Sequence, residues 1–465
     1  MWKKISVGLV IFVGMIFGLI LWLVPGTTEK KEVLESELKK RYAIVVSNST
    51  FDDLEWKGVV NALQEKYKEK YDTKAFTYQE NLGSIKDNLT LFSPDYIAFI
   101  GEPSIEINES FVKNVHQLTR ELDDDPYGDA MWGIITGYTA EDALRIAQYK
   151  EPLNIKRGLS AIGTGWLPYL QEGVGYSETT PNFKAVKSKD QNSVAELMNA
   201  PRDTTKSFVD ELNSGKVDIF WTSGHATEHI WNIGYSYQNG IFSHSQGQLI
   251  AADTAGKTYK INSSNPKIYY PVGNCLIGNI DNRDSMMTSW IRSGGAYQAM
   301  GYIVGTRYGF MGWGIADYFF IPKYPLSFAE SFFLNSQAII FGLEENVASN
   351  REGHEYDKDA VAFYGDPAWE AKVEKNENNP YDMELTKNEK EGKVNFKFTV
   401  KALKDYEFNP ERPAGILLPY KIENPKIKET NCDGKIVITE KFVLMQITEK
   451  LKQGEEKYVI FEADL

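Results

Sequence analysis

The sequence predicts an α/β chain built on parallel sheets and closed at its C-terminal end by a β-sandwich. Three observations predict it. Apolar runs of strand length alternate with helical patterns from residue 41 to about 150, the same rhythm restarts at residue 157, and past residue 370 the pattern turns to short alternating runs. With 465 residues, 42% of them hydrophobic, the chain has material for more than one buried core.

The first element is not part of that rhythm. Lys3 and Lys4 precede an uncharged apolar run over residues 5–24, long enough to span a bilayer at about 1.5 Å per residue. The run ends in Trp22-Leu23-Val24-Pro25 with no small-residue cleavage site, so residues 1–24 read as an uncleaved transmembrane anchor, with a cleaved signal segment as the alternative. The two lysines put the N-terminus in the cytoplasm. The expected location is the cell membrane with an extracytoplasmic folded region, or secretion if the segment is removed. Four N-x-Ser/Thr sites, at Asn48, Asn88, Asn108 and Asn262, fit an exported chain. Residues 25–40 are polar and charged and read as a juxtamembrane linker.

Residues 41–150 read as a first α/β subdomain. YAIVVSN is its first strand, a helix carries Val59, Val60, Leu63 and Tyr67 at helical spacing, and YIAFIG and MWGIITG follow as strands before the helix TAEDALRIAQYK. Residues 151–370 read as a second, with strands in RGLSAIGTG, VDIFWTSG, IYYPVGN and AYQAMGY and helices in TTKSFVDELNSG and SMMTSWIRSG. Residues 371–390, charged and asparagine-rich, read as a linker. Residues 391–465, with NFKFTVKAL, GILLPYKI, KIVITEKFVLMQI and KYVIFEAD, read as the sandwich.

The net charge of −13, from 64 acidic against 51 basic residues, provides no basic face for a phosphate backbone and excludes nucleic acid as the expected partner. With two cysteines, Cys275 and Cys432, the chain is not a disulfide scaffold, so each thiol needs its own account.

His225 follows the strand VDIFWTSG and Cys275 follows the strand IYYPVGN. Carboxyl ends of parallel strands are where ligands and catalytic groups gather. If the two strands are neighbours, an imidazole stands by a thiol. It takes the thiol proton, raises the thiolate fraction and later protonates the leaving amine. The backbone N–H groups of Cys275 and Ala226 then supply an oxyanion hole. No cofactor is required for that chemistry, and its partner is a peptide or protein substrate. Set against this, a lone Cys on a strand is usually a small buried hydrophobe and a lone His a satisfied structural residue.

The stretches FWTSGHA, GNCLIGNID, SWIRSGGAYQAMGY and FYGDPAW, in that order, resemble the gingipain-type cysteine peptidases of the caspase-like clan, over about residues 42–369. The resemblance implies a caspase-like catalytic region of two parallel-sheet αβα subdomains followed by an immunoglobulin-like β-sandwich, with Cys275 as nucleophile and His225 as base. It also implies acidic residues that orient the base and recognise a basic side chain. The nearest matches lie in DDDPYGD: Asp129 as the catalytic member and Asp125 as a substrate contact. The same stretch also reads as a solvated acidic turn or a structural calcium loop. Trp313, in RYGFMGWG, resembles an aromatic residue lining the substrate pocket, or else is core packing. Two departures stand out: Ala226 where the family prefers glycine after the histidine, and Thr136-Gly137-Tyr138 in place of the family's Ile-Gly-Arg.

Two other readings compete. A catalytically weak peptidase-like surface protein would keep the fold and bind peptide or protein without turnover. A zinc peptidase would use the H-x-x-E-H stretch formed by His225, Glu228 and His229, but that motif needs a helix so that both histidines share one face, and Asn232-Ile233-Gly234 leaves little room for one. Cys432 falls in a hairpin turn of the sandwich, and His116 and His354 have no evident partner. His244, between base and nucleophile, borders the cleft.

Overall fold

The computed structural model describes residues 39–189, 195–390 and 392–465. The expected anchor, residues 1–24, lies outside them, and no helix among the described residues is long and apolar enough to cross a membrane.

Twelve strands form one sheet: β1 (Arg41–Ser47), β2 (Asp72–Tyr78), β3 (Tyr96–Ile100), β4 (Met131–Ile135), β5 (Arg157–Ser160), β6 (Glu172–Tyr176), β7 (Phe183–Lys187), β8 (Glu196–Asn199), β9 (Ile219–Thr222), β10 (Lys267–Pro271), β11 (Ala296–Tyr302) and β12 (Val361–Gly365). Their order is β2-β1-β3-β4-β12-β11-β10-β9-β5-β6-β7-β8. Strands β3, β4, β10, β11 and β12 are buried at every residue, as expected for strands covered on both faces.

The two subdomains expected over 41–150 and 151–370 are therefore halves of one continuous sheet, and that expectation is corrected. The seam is β12, a strand from the end of the region that inserts between β4 and β11. It pairs parallel with β4 and antiparallel with β11. Within the second half β11, β10, β9, β5 and β6 run parallel, so their carboxyl ends share one edge.

Helices are closed by local chemistry. Thr139 and Asp142 make a capping box for Ala140–Gln148, Ser285 and Thr288 for Met286–Arg292, and Ser327 and Glu330 for Phe328–Glu344, each satisfying N–H groups that the first turn leaves unpaired. A separate four-stranded antiparallel sheet spans residues 231–260 and includes Ile241–Ser245 and Gln248–Ala252.

Small antiparallel sheets follow. Tyr381–Lys390, Lys393–Ala402, Glu456–Asp464 and Glu423–Thr430 form one of four strands, and Ala414–Leu417, Phe442–Met445 and Ile436–Ile438 form one of three. The linker expected over 371–390 is corrected here: Ala371–Val373 pairs with Leu153–Ile155, and Tyr381–Lys390 is a ten-residue edge strand. Its run of charges is what an edge strand presents to solvent. Tyr381 and Met383, at its start, face inward. The C-terminal region also holds the helix Phe310–Phe319, because Tyr318 Oη donates to Pro413 O (2.8 Å) and Arg412 Nη2 to Phe310 O (2.9 Å).

Candidate active site

Strands β9 and β10 are neighbours, paired in parallel from Ile219↔Ile268 to Thr222↔Pro271. The chain leaves both at the same edge, so Gly224-His225 and Asn274-Cys275 emerge side by side. The link between them is explicit. Thr222 Oγ1 donates to Asn274 Oδ1 at 2.9 Å, Asn274 Nδ2 donates to Gly224 O at 3.4 Å, and Val272 N–H donates to Thr222 O at 2.9 Å. Thr222 and Asn274 are fully buried, so these bonds form where water does not compete.

The backbone turns where the chemistry needs it. Gly224 takes φ +101° and Leu276 φ +57°, left-handed positions that turn the chain sharply just before His225 and just after Cys275. Ala226 is not among the positive-φ residues. Its Cβ therefore imposes no strain, and the alanine that departs from the family pattern occupies ordinary backbone.

His225 is exposed, with its ring stacked on Tyr235 (centroids 5.2 Å apart, planes at 26°) and its carbonyl accepting from Asn232 N–H. Cys275 is half-buried, and its Sγ accepts a hydrogen bond from Thr306 N–H at 3.3 Å. Among the described residues no hydrogen bond joins imidazole to thiol. Catalytic bonds are often loose until substrate is bound. The N–H groups of Cys275 and Ala226 donate to no partner among the described residues, as an oxyanion hole requires.

Trp313 is 44% exposed on the helix Phe310–Phe319. A Cβ on Gly273 would lie 3.6 Å from Trp313 Nε1 and 3.2 Å from Ser223 Oγ. Trp313 thus stands beside Gly273, two residues before Cys275, while exposed Tyr235 lies against His225.

Asp129 and Asp125 are elsewhere. Asp129 immediately precedes β4, which β12, β11 and β10 separate from β9. Four strand spacings of about 4.8 Å put it roughly 19 Å from the strand that carries His225. The Asp129 carboxylate accepts from Leu122 N–H (2.9 Å) and clusters with Asp123 and Glu440, and Lys441 donates to its backbone carbonyl. Burial, reinforced by Asp123, pushes it up to about 8. Asp125 accepts from Tyr127 N–H at 2.7 Å within the same loop. The expected catalytic and substrate roles of these two residues are corrected on this ground.

The acidic side chain beside the site is Glu178, just past the end of β6 at the shared edge. Its carbonyl accepts from Tyr235 and Ser236 N–H, one carboxylate oxygen is buried without a partner, and burial pushes the carboxyl up to about 7 against a hydrogen bond from Ser223. The signal in the sequence is a carboxylate closing the strand-like run EGVGYSE, weak beside the aspartates of DDDPYGD.

The zinc reading loses its geometry. His229 Nδ1 faces His244 Nε2 at 3.0 Å and His229 Nε2 faces Asp281 Oδ2 at 3.0 Å, so both ring nitrogens of His229 are engaged away from His225. His116 bonds Val361 O and His354 bonds Asn350 O, both in structural positions. Cys432 donates to Gln446 O at 2.9 Å, and burial pushes its thiol up.

No protein-family model matches the chain, and no curated protein does. Among solved structures, the crystal structure of the Arg-specific cysteine proteinase gingipain R (RgpB) is similar over 89% of this chain and 92% of that one, at 12% identity and a TM-score of 0.44. The complex of Porphyromonas gingivalis RgpB pro- and mature domains is similar over 88% and 94%, at 12% identity and a TM-score of 0.43. The chain thus resembles gingipain R at low identity over most of its length. At that level the likeness gives no residue of this chain a role.

Proposed function

We propose that this chain is an exported cysteine endopeptidase, held at the cell membrane by residues 1–24. The observation that carries the reading is the pairing of β9 with β10, which delivers His225 and Cys275 side by side at one sheet edge. The Cys275 thiolate attacks the scissile carbonyl carbon while His225 holds the thiol proton. The resulting oxyanion is met by the N–H groups of Cys275 and Ala226, and His225 then protonates the leaving amine. Water hydrolyses the thioester by the reverse sequence. Glu178 takes the place expected of Asp129, as the acidic group next to the base. The exposed side chains of Trp313, near Gly273, and Tyr235, on His225, contact the peptide.

One observation favours the second reading, a peptide-binding protein without turnover: the His225 ring rests on Tyr235 rather than on the thiol. Incubating the purified chain with a mixed peptide library under reducing conditions separates the two. Cleavage that disappears in Cys275→Ala and survives chelators supports the peptidase. Wild type and Cys275→Ala that are equally inert leave the binding protein.

A further inference from the structure

The loop after His225 and the loop after Cys275 are tied by a chain of four side chains that the peptidase chemistry does not use. Asp281 Oδ2 lies 3.0 Å from His229 Nε2, His229 Nδ1 lies 3.0 Å from His244 Nε2, and His244 Nδ1 lies 2.9 Å from Asp284 Oδ1. Asp284 also accepts from Gln246 and Gly247 N–H, which anchors it to the turn after Ile241–Ser245. Nearby, Met286 N–H donates to Glu228 O and Asn279 Nδ2 to Glu228 Oε1. His229 and Asp281 are 40% exposed, whereas the His244 side chain is 8% exposed.

Counting protons decides the charge of this chain. Three hydrogen bonds run through four ring nitrogens, and each needs one hydrogen. Two neutral imidazoles carry two. Asp284 does not supply the third, since it already accepts two backbone N–H groups and is held as a carboxylate. The His229 and His244 ring centres are 5.2 Å apart, close to the largest separation that an N···N distance of 3.0 Å allows two such rings, so the nitrogens face each other along the line of centres. That is the geometry of a shared proton; in a metal chelate both lone pairs would converge on a point off that line.

We infer that His229 and His244 share one proton and act, with Asp281 and Asp284, as a charged brace that positions the Cys275 loop against the His225 loop. The pair carries one positive charge between two carboxylates. The other charged groups around it are engaged elsewhere: Glu228 with Asn279, Arg283 with the carbonyl and ring of Tyr138, and Arg292 with the other contact to that ring. A fourth proton sets N–H against N–H across the central bond. Removal of the third leaves one of the three contacts without a hydrogen. The brace is therefore complete only between those limits, and both histidines are positioning residues. The bracing does not depend on the proposed peptidase activity, but its consequence for the dyad rests on that reading.

The test is made on the full-length chain in detergent, with 15N-labelled histidine and hydrogen exchange across residues 276–284. A far-downfield N–H proton is expected on the His229/His244 pair, absent in His244→Gln. The protection of residues 276–284, taken as exchange relative to the intrinsic rate at the same pH, is about tenfold or more lower in His244→Gln than in wild type. Absence of the downfield proton at every pH, or unchanged exchange in His244→Gln, overturns the inference. Because neither readout is peptide cleavage, an inert protein that shows both keeps the brace and sinks the peptidase instead.

Discussion

Replacing Thr222 with valine removes one hydroxyl and nothing else of size. That hydroxyl is fully buried and donates to Asn274 Oδ1 at 2.9 Å, the bond that joins the two strands at the site. The variant loses a neutral hydrogen bond and leaves a buried amide oxygen unsatisfied, together about 1–3 kcal/mol. The added methyl takes the hydroxyl's place, so the loss lies in hydrogen bonding rather than in a cavity. Urea unfolding followed by tryptophan fluorescence should show a lower midpoint for Thr222→Val and a near-normal one for Thr222→Ser, which keeps the donor. Alkylation of Cys275, read by mass spectrometry, should slow in Thr222→Val because Asn274 no longer holds the adjacent residue. If Thr222→Val matches wild type in both midpoint and alkylation, the Thr222–Asn274 tie does not position the thiol.

Three further outcomes follow from the geometry. Ala226→Gly should leave peptide cleavage unchanged and cost at most about 1 kcal/mol through backbone entropy, whereas Gly224→Ala should cost about 1–3 kcal/mol at φ +101° and abolish cleavage; turnover and urea midpoints of the two variants check this. Glu178, pushed up to about 7 chiefly by burial, binds its proton more tightly folded than unfolded, so its contribution to stability is present at acid pH and lost as pH rises through about 7. The wild-type midpoint should fall between pH 5 and 8 by more than that of Glu178→Gln. Lys267 is fully buried with Nζ donating to Ser263 Oγ, Asn265 O and Oδ1 and Gly294 O; Lys267→Met strands these acceptors and should cost on the order of 3 kcal/mol or more in the same assay.

What the sequence made legible was whatever depends on local pattern. The apolar runs around residues 42–48, 96–101, 131–137, 268–274 and 296–302 are strands because both faces are covered, and full burial leaves a readable signature. The strand-end positions of His225 and Cys275 were legible for the same reason. Spacing along the chain does not reveal strand order, and the errors come from there. The aspartates of DDDPYGD stand before a strand, but β12, β11 and β10 lie between that strand and β9, so Asp129 is out of reach of His225. Tyr381–Lys390 was hidden by its charges, since an edge strand with one solvated face loses the hydrophobic signal. Glu178 and the His229–His244 pair come together only through tertiary packing.

The most direct measurement is the rate at which an electrophilic peptide probe labels each of the two cysteines of the full-length chain. Cys275 is half-buried, accepts from Thr306 N–H and leaves strand β10 beside His225, whereas Cys432 donates to Gln446 O and is raised by burial. An activated thiolate predicts that Cys275 is labelled far faster than Cys432 and that His225→Ala removes the difference. Equal rates for the two thiols in the wild-type protein would contradict the dyad.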